Sequence, residues 1–292
     1  MKILITGAAG QLGQDCLRVF GKAHQVIAVD LPELDITRRA QVLESVGEIS
    51  PDLIINCAAH TGVDACETEQ ELAWELNASG PRHLAEGAAR QGSLLVHIST
   101  DYVFDGHKPV PDAYVEDDEP RPLSVYGKTK LAGERAVAEA TARHIIVRTA
   151  WLYGAGGHNF LKTMLKLAQS DAAREVRTVN DQFGSPTWSY RLALQIEKLV
   201  EKGGHGIYHA TAAGVCTWYD LADCFLNKMN VPHRLAPCTS AEYPTAAVRP
   251  KNSILENRRL KEAGIDIMAP WQEDVAQYVQ QFKKQLLQNI AV

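Results

Sequence analysis

Short apolar runs and helical repeats alternate through the first half of the chain. Met1-Lys2-Ile3-Leu4-Ile5, Gln25–Asp30, Asp52–Ala59, Ser93–Thr100 and His144–Thr149 are each apolar through most of their length. Continuous runs of this size predict strands buried on both faces, where a half-exposed strand would alternate. Between them the apolar residues fall at helical spacing. Gln14–Phe20 reads as a helix with Leu12, Cys16, Leu17 and Phe20 turned inward; Leu72–Asn77, Pro81–Gln91 and Leu131–Ala142 read likewise. The alternation predicts an α/β fold, a doubly wound parallel sheet of Rossmann type. Ligands of such sheets bind outside the strands' carboxyl ends, and Gly7, Asp30, Ala58, Thr100 and Trp151 all fall at those ends.

Beyond about residue 150 the pattern loosens. Gly154–His158 is a glycine-rich loop, Phe160–Gln169 and Tyr190–Glu201 read as helices, and Gly206–Ala210 reads as a strand returning to the sheet. From Cys216 onward helices and short turns are punctuated by Pro232, Pro237, Pro244, Pro250 and Pro270. The expected division is a dinucleotide-binding domain over 1–150, with a returning segment near 175–212. A smaller substrate-binding lobe comprises 151–174 and 213–292. The acidic run Glu116–Pro122 reads as a solvated surface loop.

Composition narrows the class. A chain of 292 residues can bury a large core, and a net charge of −5 speaks against nucleic acid or an anionic membrane as partner. No apolar stretch reaches the ~20 residues needed to span a bilayer. The chain enters its first strand without a signal-peptide pattern, and its six cysteines form no Cys-x-x-Cys pair. A reducing, cytoplasmic setting is the expectation. The histidines form no metal-binding repeat, and His60, His97 and His209 read as core or loop residues.

Two motifs carry chemistry. Thr6-Gly7-Ala8-Ala9-Gly10-Gln11-Leu12-Gly13 joins the first strand to the first helix. Such glycines let the backbone approach a pyrophosphate above the helix N-terminus. Asp30 ends the second strand about 20 residues further on, where a carboxylate accepts hydrogen bonds from the adenosine ribose. It would also repel a 2′-phosphate, by about 4 kcal/mol per unit charge at ~4 Å and an effective dielectric near 20. That leans towards NADH over NADPH. Tyr126 and Lys130 stand four apart, on one face of a helix. A lysine cation beside a tyrosine lowers the phenol's pKa and suits the pair to proton transfer at a carbonyl or alcohol oxygen.

Thr6-Gly7-x-x-Gly10-x-x-Gly13 with Tyr126-x-x-x-Lys130 resembles the extended short-chain dehydrogenase/reductase family. The similarity extends over nearly the whole chain, through Asn56–Asp64, Ser99–Gly106, Tyr126–Glu134, Val147–Gly154, Asp181–Thr187 and Arg249–Ser253. These segments are most similar to family members that reduce the C4 ketone of dTDP-4-dehydro-L-rhamnose. The resemblance implies an NADH- or NADPH-dependent reductase of a dTDP-sugar, monomeric or homodimeric. Thr100, Tyr126 and Lys130 would be catalytic. Gly7, Gly10, Gln11, Leu12, Gly13, Asp30, Asp35, Ile36, Ala58, Ala59, His60 and Thr61 would hold the cofactor, with Tyr126 and Lys130. Thr100, Asp101, Tyr102, Trp151, Asn159, Gln182 and Arg249 would contact substrate, Arg249 through the diphosphate or else in a structural ion pair. Some relatives use Mg²⁺, for which no local motif is visible.

Three other readings share the scaffold. A 4,6-dehydratase would carry Asp-Glu after the threonine, where this chain has Asp101-Tyr102. An epimerase resembles it only at the shared motifs. A regulatory subunit like that of methionine adenosyltransferase would work by contact alone, and the intact Thr100, Tyr126 and Lys130 favour an enzyme.

Overall fold

The computed structural model describes residues 1–288, so the last four positions of the expected second lobe lie outside the described residues. Five strands follow the predicted order: β1 (Lys2–Thr6), β2 (Gln25–Val29), β3 (Leu53–Asn56), β4 (Leu94–Thr100) and β5 (His144–Thr149). With Gly206–His209 they form a six-stranded sheet in the order β2-β1-β3-β4-β5-(206–209), parallel throughout. The apolar runs are continuous because both faces are covered. Ile3, Ile5, Ile55, Val96 and Val147 pack into one core with helices Gln11–Phe20 and Ser189–Glu201. Leu4, Ile54, Leu95 and Ile146 point the other way, onto helices Arg39–Ile49, Gly80–Gln91 and Val125–Ala140.

Strand order reverses between β1 and β3, and ligand crevices open at such switch points. Here the chain is pressed together: a Cβ on Gly7, whose φ is +68°, would lie 2.5 Å from the Ala58 nitrogen. Only glycine fits both the torsion and the gap.

The second lobe gathers helices Phe160–Ser170, Trp218–Met229 and Trp271–Gln288 around Tyr153, Trp188 and Phe225. Strand Glu175–Val179 pairs with Arg234–Cys238, apart from the main sheet. The segment returning to the sheet therefore starts later than residue 175, at helix Ser189–Glu201.

Two further sequence expectations change. Leu72–Asn77 and Pro81–Gln91 are one helical run, Gln70–Gln91, interrupted by a π turn at Glu75–Ser79. Pro81 offers no N–H to the Asn77 carbonyl four residues back and would crowd it in a regular helix; the wider turn relieves this. The acidic run is a surface loop, exposed at Asp117, Glu119 and Arg121, but it is tied down. Glu116 is 4% exposed and accepts hydrogen bonds from the His209 and Arg259 amides, while Asp117 pairs with Arg258 and Arg259 and Asp118 with Lys108. Arg258 and Arg259, distant in sequence, find Asp117 only once the lobes are assembled.

Candidate active site

The β1–helix junction supplies a cradle. Helix Gln11–Phe20 starts after Gly10 with no side chain capping its first turn, which leaves N–H groups for an anion. A Cβ on Gly13 would collide with the Gly7 carbonyl oxygen. Asp30 stabilises this loop: Oδ2 accepts from the Ala9 amide at 2.8 Å and Oδ1 from Leu31 at 2.9 Å. Its carboxylate is engaged by backbone donors and does not stand free.

From the cradle a cleft of about 520 Å³ runs along the strand ends. Of the residues singled out from sequence, it brings together Gly10, Gln11, Leu12, Gly13, Ala58, Ala59, Thr61, Thr100, Asp101, Tyr102, Tyr126, Lys130, Trp151 and Arg249. The others lie off its walls. Gly7 is beneath the loop. Ile36 is 3% exposed, packed in the core with its Cδ1 against Gly80. Asp35 accepts from the Thr37 amide and hydroxyl and pairs with Arg38. The His60 ring meets Glu69 at 2.7 Å. Asn159 caps helix Phe160–Ser170 and donates to Gln11 Oε1 and the Gly154 carbonyl. Gln182 lines a separate cavity of about 290 Å³ that shares Trp218 and Arg249 with the cleft.

At the centre, Thr100 Oγ1 donates to Asp101 Oδ1 at 2.8 Å and accepts from the Tyr102 amide at 3.2 Å. Burial raises Asp101 to about 6, opposed by hydrogen bonding from Ser253 and Thr100. Ser124 Oγ accepts from the Gly127 amide and so starts helix Val125–Ala140, presenting Tyr126 to the cleft. Loss of water raises the Tyr126 phenol well above its ordinary value, and the Thr100 hydroxyl beside it is the one opposing influence. This corrects the expectation that Lys130 lowers it. Lys130 Nζ donates to the Ile98 carbonyl at 2.6 Å, and burial brings its own pKa down to about 8. Desolvation outweighs the one-turn spacing that suggested a phenolate. The tyrosine is protonated at neutral pH, the form a reduction needs in a proton donor.

Four residues that the sequence did not single out complete the site. The Trp218 ring lies on Trp151 at 3.6 Å between centroids and 7° between planes, and its Nε1 donates to Gln182. Asp64 takes the Arg249 guanidinium at 2.6 Å, while Arg249 also donates to the Tyr102 hydroxyl. Asn77 in the π turn accepts from the His60 amide and donates to the His60 carbonyl and Thr129 Oγ1. Asn56 Oδ1 accepts from Thr6 and the Ala58 amide, so its nitrogen faces and donates to His97 Nδ1 at 3.1 Å. His97 is thereby a neutral acceptor, held well below its usual pKa by burial and then by the Lys130 charge. No local signal marked Asn77, which stood at the end of the helix expected over Leu72–Asn77.

Among the described residues no group of three or more His, Cys, Asp or Glu side chains could hold a metal ion. No helix there is long and apolar enough to cross a membrane.

The profile of a family described as the RmlD substrate binding domain matches residues 1–284. The chain belongs to the RmlD family. It is 41% identical over 277 residues to a dTDP-4-dehydrorhamnose reductase of Aggregatibacter actinomycetemcomitans, covering 90% of this chain and 92% of that one. Among solved structures, an RfbD orthologue from Clostridium acetobutylicum, a dTDP-4-dehydrorhamnose reductase, superposes with a TM-score of 0.94 at 43% identity, covering 97% of this chain and 100% of that one. The reductase of Bacillus anthracis, solved in complex with NADP, gives a TM-score of 0.93 at 39% identity, covering 96% and 99%. The RmlD fold thus runs through both lobes, and the cleft between β1, β3, β4 and the Trp151–Trp218 stack is a feature of an RmlD chain.

Proposed function

We propose that this chain is an NAD(P)H-dependent dTDP-4-dehydrorhamnose reductase, which reduces the C4 ketone of dTDP-4-dehydro-L-rhamnose to the alcohol of dTDP-L-rhamnose. The observation that carries it is one cleft holding Thr100, Tyr126 and Lys130 beside an uncapped glycine cradle. The names of the relatives supply the sugar nucleotide.

The cradle fits a dinucleotide pyrophosphate, because the uncapped first turn of helix Gln11–Phe20 leaves N–H groups for an anion and Gly10, Gln11, Leu12 and Gly13 line the cleft. Reduced nicotinamide, when bound, supplies the hydride to C4. Tyr126 gives its phenolic proton to the ketone oxygen, and Thr100 holds that oxygen in line. Lys130 orients the nicotinamide ribose and keeps positive charge near the phenolate left behind. Asp30 accepts from the adenosine ribose, with Asp35 near the adenine. Asp101, Tyr102, Trp151 and Gln182 contact the sugar nucleotide, and Arg249 its diphosphate. Asn159 supports the site through Gln11. The enzyme acts in the cytoplasm, as a monomer or homodimer.

Oxidation of NADH and NADPH, followed by absorbance with enzymatically made dTDP-4-dehydro-L-rhamnose, tests this. Rapid turnover is expected, falling by about 10²–10⁴-fold in Tyr126→Phe with coenzyme binding little changed. No turnover with either coenzyme would favour a role through protein contact instead. Near-normal turnover in Tyr126→Phe would remove the phenol from the chemistry.

A further inference from the structure

Helix Val125–Ala140 carries Tyr126, Lys130 and Glu134 at successive turns. Glu134 lies below the other two and is 3% exposed. Its Oε1 accepts from Ser99 Oγ at 2.5 Å and Arg148 Nε at 2.9 Å, and its Oε2 from Arg148 Nη2 at 2.7 Å. Ser99 immediately precedes Thr100 on β4, and Arg148 is on β5 shortly before Trp151. One carboxylate therefore ties the helix of Tyr126 and Lys130 to the strands of Thr100 and Trp151.

A fully buried ion pair is poor evidence for stability, since desolvating both ions offsets their attraction and an apolar pair of equal volume often does as well. The charge needs another reason, and Lys130 provides one. Its ammonium is 3% exposed, with the Ile98 carbonyl as its hydrogen-bond acceptor. The groups facing it are Tyr126 and Glu134 from its own helix, Cys57 beyond β3, and the neutral His97 on β4; Arg148 of β5 sits behind Glu134. Glu134 is the carboxylate among them. Burial weakens the ammonium, and Glu134 is the largest influence opposing that loss.

We propose that Glu134 is a positioning residue, which locks the Tyr126–Lys130 helix against the Thr100 strand and keeps the Lys130 ammonium charged at the floor of the cleft. The part played by that charge in turnover rests on the reductase reading; the charge itself does not.

Nitrogen-15 NMR titration of the Lys130 side chain tests it, the signal being assigned by its loss in Lys130→Met. The wild-type midpoint is expected at about 8. In Glu134→Gln it falls by roughly one to two pH units, the effect of removing a carboxylate about one helical turn away. The alkaline limb of kcat against pH moves acidward with it. Ser99→Ala, which removes a hydrogen bond but no charge, leaves the midpoint in place. Should Glu134→Gln fail to fold, Glu134→Gln/Arg148→Met leaves no buried ion unpaired, and a smaller fall in the same direction is expected, because the opposing Arg148 charge, which sits behind Glu134, is lost with it. An unchanged midpoint in either folded variant overturns the proposal, because a purely structural carboxylate would lower Tm and turnover without moving the titration. A shifted midpoint in a protein that does not turn over the dTDP-sugar upholds the electrostatic role and removes only the reaction.

Discussion

Trp151 has a φ of 48°, a left-handed torsion costing a non-glycine residue about 1–3 kcal/mol. Packing holds it there. Trp218 covers one face of the ring, and a Cβ on Gly184 would come within 2.5 Å of its Cε2. The ring is thus fixed at the mouth of the cleft by the second lobe. Trp151→Ala is expected to raise KM for the sugar nucleotide about tenfold, and Trp218→Ala by a similar factor, with coenzyme affinity nearly unchanged. Because the rings stack on each other, the double variant should lose less than the sum, by about 0.5–1.5 kcal/mol. Strict additivity would mean that the two act separately, and a normal KM in both would remove them from substrate binding. Trp151 was legible as a strand-end aromatic. Trp218 was not, since nothing local distinguishes it from any tryptophan opening a helix.

At the scale of elements, a one-residue defect is matched by a one-residue gap. Pro81 leaves the Asn77 carbonyl without its helical donor, and that carbonyl turns towards Gly133 on helix Val125–Ala140. A Cβ on Gly133 would overlap the Asn77 oxygen, a backbone atom that cannot swing aside. Helix propensity alone favours alanine over glycine there by about 1 kcal/mol. Gly133→Ala is nonetheless expected to destabilise by about 1–3 kcal/mol through overpacking. It should also lower turnover, because the same helix carries Tyr126 and Lys130. Urea unfolding measures the first effect and kcat the second; a stabilised variant would show that the two helices can separate freely. The strands and most helices were readable from periodicity. The π turn was not, because proline announces a break without saying whether the chain will end the helix or widen it.

For the whole molecule, buried histidines tie stability to pH. His209 is fully buried and pushed down to about 3, first by desolvation and then by Arg148. His97 is also held well below its usual value of 6.5. Below that value each ring takes up a proton in the unfolded chain but resists it in the fold, so stability falls as pH falls, by about 1.4 kcal/mol per unit per histidine. Asp101, raised from 3.8 to about 6, has the opposite sign within that narrower window and offsets part of the loss. Urea midpoints should be level between about pH 7 and 8 and decline below about 6.5, less steeply in a folded His209→Gln variant. A profile flat to pH 5 would contradict the buried, neutral rings. By itself the sequence determined the doubly wound sheet, its glycine cradle and the one-turn spacing of Tyr126 and Lys130. Those signals are periodicities and motifs that hydrogen bonding and burial impose within a few tens of residues. Only the tertiary structure decided that Arg249 faces Asp64, that Trp218 covers Trp151, that Ile36 is core, and that burial raises the Tyr126 phenol. Each of these depends on which distant side chains exclude water or bring charge to one point, and that information lies in no local stretch of chain.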